Sequence, residues 1–257
     1  MLALISPAKK LDFESQIKLQ ELSQPNFLDE ANLLVKKAKT LSKQDLARSM
    51  KLSESLAELN FQRFKNFSVP FNLANAKQAA FAFKGDTYIG LNIDSFSNND
   101  IQFAQKHLRI LSGLYGILRP LDLIQPYRLE MGARFQPPKS STLYDFWGDH
   151  ITNTINTELM GHDNRTLINL ASNEYFKVIK VEKVYGKIIT PVFKEIKKGK
   201  IRTLGMFAKR ARGMMGKFIV NNRLKSPDGL KRFNEQGYSY KHELSNTEKW
   251  VFTRPQP

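Results

Sequence analysis

Short apolar runs of strand character alternate with segments of helical periodicity along the chain, and this alternation constrains the fold most. The run Leu2–Ile5 ends at Pro7, as expected of a buried strand, and Thr166–Leu170 has the same character. Between them, apolar residues recur at helical spacing over residues 26–41. The chain has no internal repeat, low-complexity run or Gly/Ser-rich linker. Interleaved elements without a linker predict the α+β class, as a single mixed α and β domain over residues 1–257.

The same patterns predict further elements and three helix starts. Helices are expected over residues 26–41, 43–67, 98–112, 149–159 and 208–222. Strands are expected over residues 88–91, 184–193 and 201–207. Because serine oxygens accept hydrogen bonds from free amides at helix starts, we expect N-caps at Ser42, Ser53 and Ser97.

Composition narrows the function classes. The 257 residues include 40 Lys+Arg against 24 Asp+Glu, a formal charge of +16 that favours a polyanion such as nucleic acid as partner. The sequence has no cysteine, which excludes disulfides, thiol nucleophiles and thiolate metal sites. The apolar start ends at Pro7, which is too short for a signal sequence, and no later segment reaches spanning length. We therefore expect a cytoplasmic protein that does not enter a membrane.

Residues 109–122 contain a turn with two glycines, Gly113 and Gly116, flanked by Arg109 and Arg119. The pattern is that of two helices joined by a tight glycine hairpin, whose backbone amides would bind phosphate. Local pattern alone favours an ordinary helix–turn–helix connection. The turn residues expected to contact phosphate are Gly113, Leu114, Tyr115 and Gly116.

A second basic feature lies between Glu195 and Asp228, where ten Lys or Arg residues occur without an acid. On the helix predicted over residues 208–222, Lys209 and Arg212 project from one side, as do Arg210 and Lys217. Two glycines in this helix would let a backbone or a ligand approach closely. A charge run is often only a solvated face. The absence of a compensating acid favours a positive field that binds an anion.

Local motifs do not identify an enzyme. The four histidines are scattered without metal-ligand spacing, and we predict no metal and no cofactor. Neither Ser6 nor Ser112 has the glycine context of a hydrolase nucleophile. Asp145, Asp149 and His150 cluster in sequence, and a helix cap with a surface pair explains them better than a metal or acid–base site.

Seven sequence segments, in the expected order and spread over essentially the whole chain, resemble the YaaA family. They are ISPAK (5–9), FKGDTYIGL (83–91), RILSGLYGILRPLD (109–122), PYRLEMG (126–132), FWG (146–148), NLAS (169–172) and AKRARG (208–213). The resemblance implies a cytoplasmic protein of the peroxide stress response, associated with lower free iron and less oxidative DNA damage. It also implies a family-specific mixed α/β domain with a helix–hairpin–helix element and a positively charged cleft.

The resemblance further implies binding of duplex and branched DNA, and no base-reading element indicates sequence specificity. By position, the hairpin falls on residues 113–116. The cleft cations fall on Lys9, Lys84, Arg109, Arg119, Arg128, Lys209 and Arg212. With Arg210 and Lys217 of the basic segment, these residues form the expected DNA-contact set.

Two other functions remain open. One is an enzyme that holds a small anionic substrate in the basic cleft, with Lys9, Lys84 and Asp86 as its polar groups. The other is direct iron sequestration, which the scattered histidines and absent cysteines support little. One continuous groove as wide as a duplex would favour DNA, whereas a closed pocket would favour an enzyme.

Overall fold

A computed structural model describes residues 1–17 and 19–257, in which short strands and helices alternate. The strands are β1 (Leu2–Ile5), β2 (Lys10–Leu11), β3 (Lys77–Gln78), β4 (Phe83–Lys84), β5 (Leu108–Ser112), β6 (Gly116–Leu118), β7 (Leu123–Ile124), β8 (Thr166–Leu170), β9 (Lys187–Lys197), β10 (Lys200–Arg202), β11 (Ser239–Lys241) and β12 (Lys249–Pro255). The α-helices are α1 (Leu28–Lys39), α2 (Lys43–Met50), α3 (Glu54–Asn66), α4 (Ala79–Ala82), α5 (Asp86–Leu91), α6 (Asn98–His107), α7 (Leu143–Trp147), α8 (His150–Met160), α9 (Asn173–Phe176) and α10 (Gly205–Asn221). Short 3₁₀ turns occupy Ile93–Ser95, Val181–Lys183, Pro227–Arg232, Glu235–Gly237 and His242–Leu244.

The central sheet has the strand order β11-β12-β9-β8-β1-β5-β6, and β10 pairs with β9. Strands β1, β5, β8, β9 and β12 are parallel, whereas β6, β10 and β11 pair antiparallel to their neighbours. The parallel strands end at one edge, here called the carboxyl edge, and begin at the opposite, amino edge. The chain passes from β1 to β5 on one side and later to β8 on the other side. The strand order therefore reverses beside β1, where open α/β sheets form ligand-binding crevices.

Burial on both faces explains the apolar runs of the central strands. Leu2, Leu4 and Ile5 of β1 are fully buried, as are Leu167 and Ile168 of β8. Such strands read as continuous apolar runs because helices cover both faces of a parallel sheet. Helix α10 packs across β1, β8 and β9, and α6 packs on β1 and β5. The mixed α and β class is confirmed, and its assignment to one domain stays a prediction.

Helices α5 and α10 cross closely because each has a glycine at the contact. A Cβ atom on Gly213 would lie 1.8 Å from the carbonyl oxygen of Thr87. One on Gly90 would lie 2.1 Å from the carbonyl oxygen of Arg210. The space at Gly213 is therefore filled by the backbone of α5 and offers no room to a ligand.

Several predicted elements are confirmed and others are corrected. Helices α1, α8 and α10 lie where periodicity predicts them, and Ser42, Ser53 and Ser97 all cap helices with their side chains. The predicted helix over 43–67 is instead two helices. It breaks at Lys51, which has a left-handed φ of 53°, just before the Ser53 cap.

Three further assignments were wrong in whole or in part, because tertiary pairing and packing override local pattern. The strand predicted over residues 88–91 lies within helix α5, packed on α10. The strand predicted over 201–207 stops at Arg202, and α10 starts at Gly205. The helix predicted over 98–112 ends at His107, since the residues after it join the sheet as β5.

The helix–hairpin–helix prediction for residues 109–122 was wrong, because the segment forms a β-hairpin. Strand β5 pairs with β1 on one side and with β6 on the other, where Ile110 lies opposite Leu118. The backbone of β5 is paired on both sides, and its side chains are buried on the two faces of the sheet. The amides of Leu114 and Tyr115 donate to Ser112 Oγ at 3.2 and 3.0 Å. The turn is buried, so these amides do not face solvent.

No helix in residues 1–17 and 19–257 is long and apolar enough to cross a membrane.

Candidate functional site

The loops after β1 and β8 meet at the carboxyl edge, where two serines connect them. Ser6 Oγ accepts a 2.8 Å hydrogen bond from the amide of Ser172 and lies 3.3 Å from its hydroxyl oxygen. The hydroxyl of Tyr88, from α5, donates to the Ser6 carbonyl at 3.2 Å. Because β1 and β8 are adjacent and parallel, both loops leave the sheet at the same point. This junction joins the two loops that continue to Lys9 and to Glu174.

Glu130 lies near this junction, in the segment after β7. Its Oε1 atom lies 3.2 Å from Lys9 Nζ and 3.1 Å from Arg128 Nε. The side chain of Lys9 is 67% exposed, whereas those of Arg128 and Glu130 are 16% and 12% exposed. Glu130 therefore holds the Nε side of a mostly buried guanidinium. Across the described part of the chain, the two terminal nitrogens of Arg128 donate to no protein acceptor.

A cavity of about 210 Å³ opens beside Glu130. Its charged lining residues are Lys9, Lys51, Arg128, Glu130, Arg134 and Glu174. Glu174 Oε1 accepts from the amide of Gly132 at 3.1 Å, which joins the loop after β8 to the segment carrying Glu130. Burial, and next the positive charge of Arg128, lower the pKa of Arg63. The cavity is therefore a small polar pocket with an excess of cations.

Lys84 lies on a short ribbon next to this pocket. Strand β2, which follows Lys9, pairs with β4 so that Lys10 lies opposite Lys84. Lys84 Nζ lies 3.3 Å from Asp12 Oδ2. Hydrogen bonds from Ser15, followed by the contact with Lys84, hold the pKa of Asp12 far below its ordinary value. Lys84 thus has a carboxylate partner at Asp12.

The enzyme hypothesis grouped Lys9, Lys84 and Asp86. Within residues 1–17 and 19–257, no hydrogen bond or ion pair links the three, since Lys9 contacts Glu130 and Lys84 contacts Asp12. The three residues nevertheless stand on adjoining segments, because Lys10 lies opposite Lys84 in the β2–β4 ribbon, and the catalytic trio stays a prediction.

The basic residues of α10 lie on its outer side. The helix starts beside Glu195, near the end of β9, where the Leu204 amide donates to Glu195 Oε2 at 3.2 Å. Lys209 and Arg210 are exposed, and Arg212 and Lys217 are half-buried. Burial lowers the pKa of Arg212. Among the described residues, none of these four forms an ion pair. They leave a positively charged helix surface that begins near the carboxyl edge.

Arg109 and Arg119 lie at the opposite edge of the sheet. Arg109 is buried at the start of β5, with its Nε atom 2.9 Å from Glu158 Oε1. Arg119 Nη2 lies 2.9 Å from Asp122 Oδ1. Both arginines line a cavity of about 470 Å³ at the amino edge, together with Lys106, His107 and His162. Both arginines, which were predicted to contact DNA, form ion pairs within the fold instead. They do not lie on the same surface as Lys9 and Arg128.

The sequence reasoning missed the carboxylates of the site. Glu130 and Glu174 stand within or next to segments that the resemblance singled out, PYRLEMG and NLAS. What brings them beside Lys9 is the sheet order, which no local motif encodes. In the part of the chain that is described, no group of three metal-ligating side chains occurs.

A mostly parallel sheet with a polar crevice beside the strand reversal defines a mixed α/β protein, a class in which ligands commonly bind at the carboxyl edge. A family model described as peroxide stress protein YaaA matches residues 1–244. The chain belongs to this family, and its role is in the peroxide stress response.

Its relatives share nearly full length with it. A UPF0246 protein of Magnetococcus marinus is 51% identical over 254 residues, which are 99% of this chain and 99% of the relative. A UPF0246 protein of Cellvibrio japonicus is 49% identical over 257 residues, covering 100% of both chains. A third, from Alteromonas mediterranea, is 48% identical over 256 residues, 100% of this chain and 99% of the relative.

Proposed function

We propose that the protein acts in the cytoplasm during peroxide stress by binding duplex and branched DNA without sequence specificity. The observation that carries this proposal is the outer side of α10, where Lys209, Arg210, Arg212 and Lys217 have no carboxylate partner among the described residues. Positive side chains without acidic neighbours bind phosphate by releasing its counterions, so the affinity is electrostatic and independent of sequence.

The DNA surface proposed here is smaller than the set expected from sequence. The proposed surface includes Lys9, Lys84 and Arg128. These residues lie near the carboxyl edge of the sheet, where α10 also begins. Arg109, Arg119 and the buried turn at residues 113–116 lie elsewhere and are left out. Phosphate contacts position DNA, and we assign no base contact.

The proposal includes a limit on intracellular free iron and on oxidative DNA damage, as the family resemblance implies. A duplex covered by protein is shielded from radicals formed near its backbone. Direct iron binding is tested separately: purified protein that keeps Fe(II) through a desalting column would show sequestration by the protein itself.

Fluorescence anisotropy with a labelled duplex tests the DNA proposal. We expect affinity to fall steeply with salt, and Lys209→Gln to reduce the slope of log K against log salt by about 1. Lys106→Gln removes the same charge from the amino edge and should leave the slope unchanged. Affinity that barely changes from low to moderate salt would overturn the proposal.

A second candidate is an enzyme that acts on a small anionic substrate. The cavity beside Glu130 favours it, since a polar pocket of about 210 Å³ suits a small molecule better than a duplex. Metabolites screened by thermal shift test this candidate, because a ligand that binds the native state raises Tm. If no anionic metabolite raises Tm, the enzyme is not supported.

A further inference from the structure

We propose that the cavity beside Glu130 is a binding site for one phosphate monoester group, clamped by Arg128. This inference deepens the functions proposed above, because it names the chemical group that the basic carboxyl edge recognises. It rests on the position of Arg128, the charge balance of the cavity and its size.

The guanidinium of Arg128 is positioned to donate two hydrogen bonds to an oxyanion. Its Nε atom is held 3.1 Å from Glu130 Oε1, which fixes the plane of the guanidinium. The terminal nitrogens are left without a protein acceptor in the described residues, and the side chain is only 16% exposed. A planar guanidinium held in this way binds phosphate bidentately. Glu130 is the positioning residue, since it orients Arg128 and does not itself bind the anion.

The neighbourhood of Arg128 has a deficit of negative charge. Arg63 is half-buried and close enough for the Arg128 charge to lower its pKa. Among the described residues, its side chain donates only to the amide oxygen of Asn60, at 3.4 Å. The partly buried guanidiniums of Arg63 and Arg128 repel each other, and an anion bound between them would reduce this repulsion. One carboxylate, Glu130, is already shared by Lys9 and Arg128.

The charge balance of the lining favours a dianion. The cavity is lined by four cations, Lys9, Lys51, Arg128 and Arg134, and by two carboxylates, Glu130 and Glu174. A phosphate monoester carries a charge of about −1.5 to −2 at pH 7. Its charge balances the net charge of about +2 on the cavity lining better than a monoanionic carboxylate or a phosphodiester does.

The size of the cavity limits the ligand to a terminal group. Its 210 Å³ is below the about 300–1,000 Å³ that is typical of pockets for drug-sized ligands. That volume holds a phosphate with a few ester atoms, but not a stretch of duplex. The group has two sources, a phosphorylated small molecule or the 5′-phosphate at a DNA end.

Two measurements separate these sources. In the first, isothermal titration of the free protein with inorganic phosphate and with glycerol 3-phosphate measures the site without DNA. In the second, anisotropy compares a duplex with 5′-phosphate ends with the same duplex with 5′-hydroxyl ends. Preference for the phosphorylated duplex identifies DNA ends as the source. Binding of glycerol 3-phosphate without such a preference identifies a free phosphorylated molecule.

The phosphate affinity of Arg128 variants tests whether Arg128 binds the phosphate. We expect Arg128→Gln to weaken phosphate binding at least about tenfold, the loss of one good charge-assisted contact. Arg128→Lys keeps the charge without the fork and should recover only part of the affinity. Arg165→Gln, an exposed arginine at the start of β8, is the matched control and should bind phosphate like the wild type. Circular dichroism and Tm confirm that each variant is folded.

The outcomes are distinguishable from those of the DNA proposal. Lys209→Gln should weaken phosphorylated and unphosphorylated duplexes equally, whereas Arg128→Gln should weaken the phosphorylated duplex more and so abolish the difference between them. If neither phosphate nor glycerol 3-phosphate binds and the two duplexes bind equally, the phosphate site is refuted even where DNA binding persists. Equal phosphate binding by folded Arg128→Gln also overturns it.

Discussion

Ser6 Oγ accepts a 2.8 Å hydrogen bond from the backbone amide of Ser172, 166 residues further along the chain. The contact joins the loop after β1 to the loop after β8, where the order of the parallel strands reverses. It therefore connects the two loops that continue to Lys9 and to Glu174, both of which line the cavity beside Glu130.

Replacing Ser6 by alanine removes the acceptor and leaves a partly buried amide unpaired. We expect Ser6→Ala to lower the free energy of unfolding by about 1 kcal/mol, the usual net value of one such hydrogen bond. Ser6→Thr keeps the hydroxyl and should lose less. Chemical denaturation of the three proteins measures the difference. An unchanged midpoint for Ser6→Ala would show that water replaces the serine oxygen.

The contrast between Ser42 and Ser112 shows how much the sequence predicts. Ser42 caps α2 through a local hydrogen bond to Asp45, three residues away, so a local pattern predicts it. Ser112 ends a strand whose identity depends on β1, more than a hundred residues earlier. Residues 98–112 have helical periodicity throughout, and only pairing with β1 converts their last turn into β5. Local reasoning therefore finds helices and caps, and it fails where distant strands meet.

The candidate site follows the same rule. The basic side of α10 was predicted from spacing on one helix, and the structure places it there. The pairing of Lys9 with Glu130 joins residues 121 positions apart, and Arg109 finds Glu158 in the same unpredictable way. A charge in the sequence does not say whether its partner is a carboxylate of the fold or an external anion. Arg109 and Arg119 lie outside the proposed DNA surface because the fold places them at the amino edge.

The close crossing of α5 and α10 predicts that alanine at Gly213 destabilises the protein much more than alanine at Gly216. A methyl group at Gly213 would lie 1.8 Å from the Thr87 carbonyl oxygen, which is backbone and cannot rotate away. At Gly216 it would lie 3.3 Å from a side-chain carbon of Leu91, which can shift. We expect Gly213→Ala to lower the free energy of unfolding by about 1–3 kcal/mol or more. Gly216→Ala should cost little, because alanine also favours the helix. Thermal and chemical denaturation test the pair, and equal effects would contradict the close crossing.

The buried pair of Arg109 and Glu158 predicts a strong penalty for losing one partner. Burial raises the pKa of Glu158 and lowers the pKa of Arg109, so each charge depends on the other. Glu158→Gln or Arg109→Met should lower the free energy of unfolding by about 3–5 kcal/mol, because the remaining charge is left uncompensated. The double variant Arg109→Met with Glu158→Leu should be close to wild type, since apolar packing replaces the pair.

The same double variant tests whether the amino edge of the sheet contributes to DNA binding. We expect its affinity for duplex DNA and the salt slope of that affinity to match the wild type, because Arg109 lies at the amino edge. A marked loss of affinity in the folded double variant would return Arg109 to the DNA surface.

His162 predicts how stability depends on pH. Its ring centroid lies 4.6 Å from that of His107. Burial, followed by nearby positive charges, lowers the pKa of His162 from 6.5 to about 4. Between these values the unfolded chain binds a proton at His162 and the folded protein does not. The free energy of unfolding should therefore fall as the pH is lowered from 6.5 to about 4. Denaturation at a series of pH values should show a smaller fall for His162→Gln, whose side chain does not titrate. An imidazole resonance of His162 that titrates near 6.5 in the folded protein would contradict the prediction.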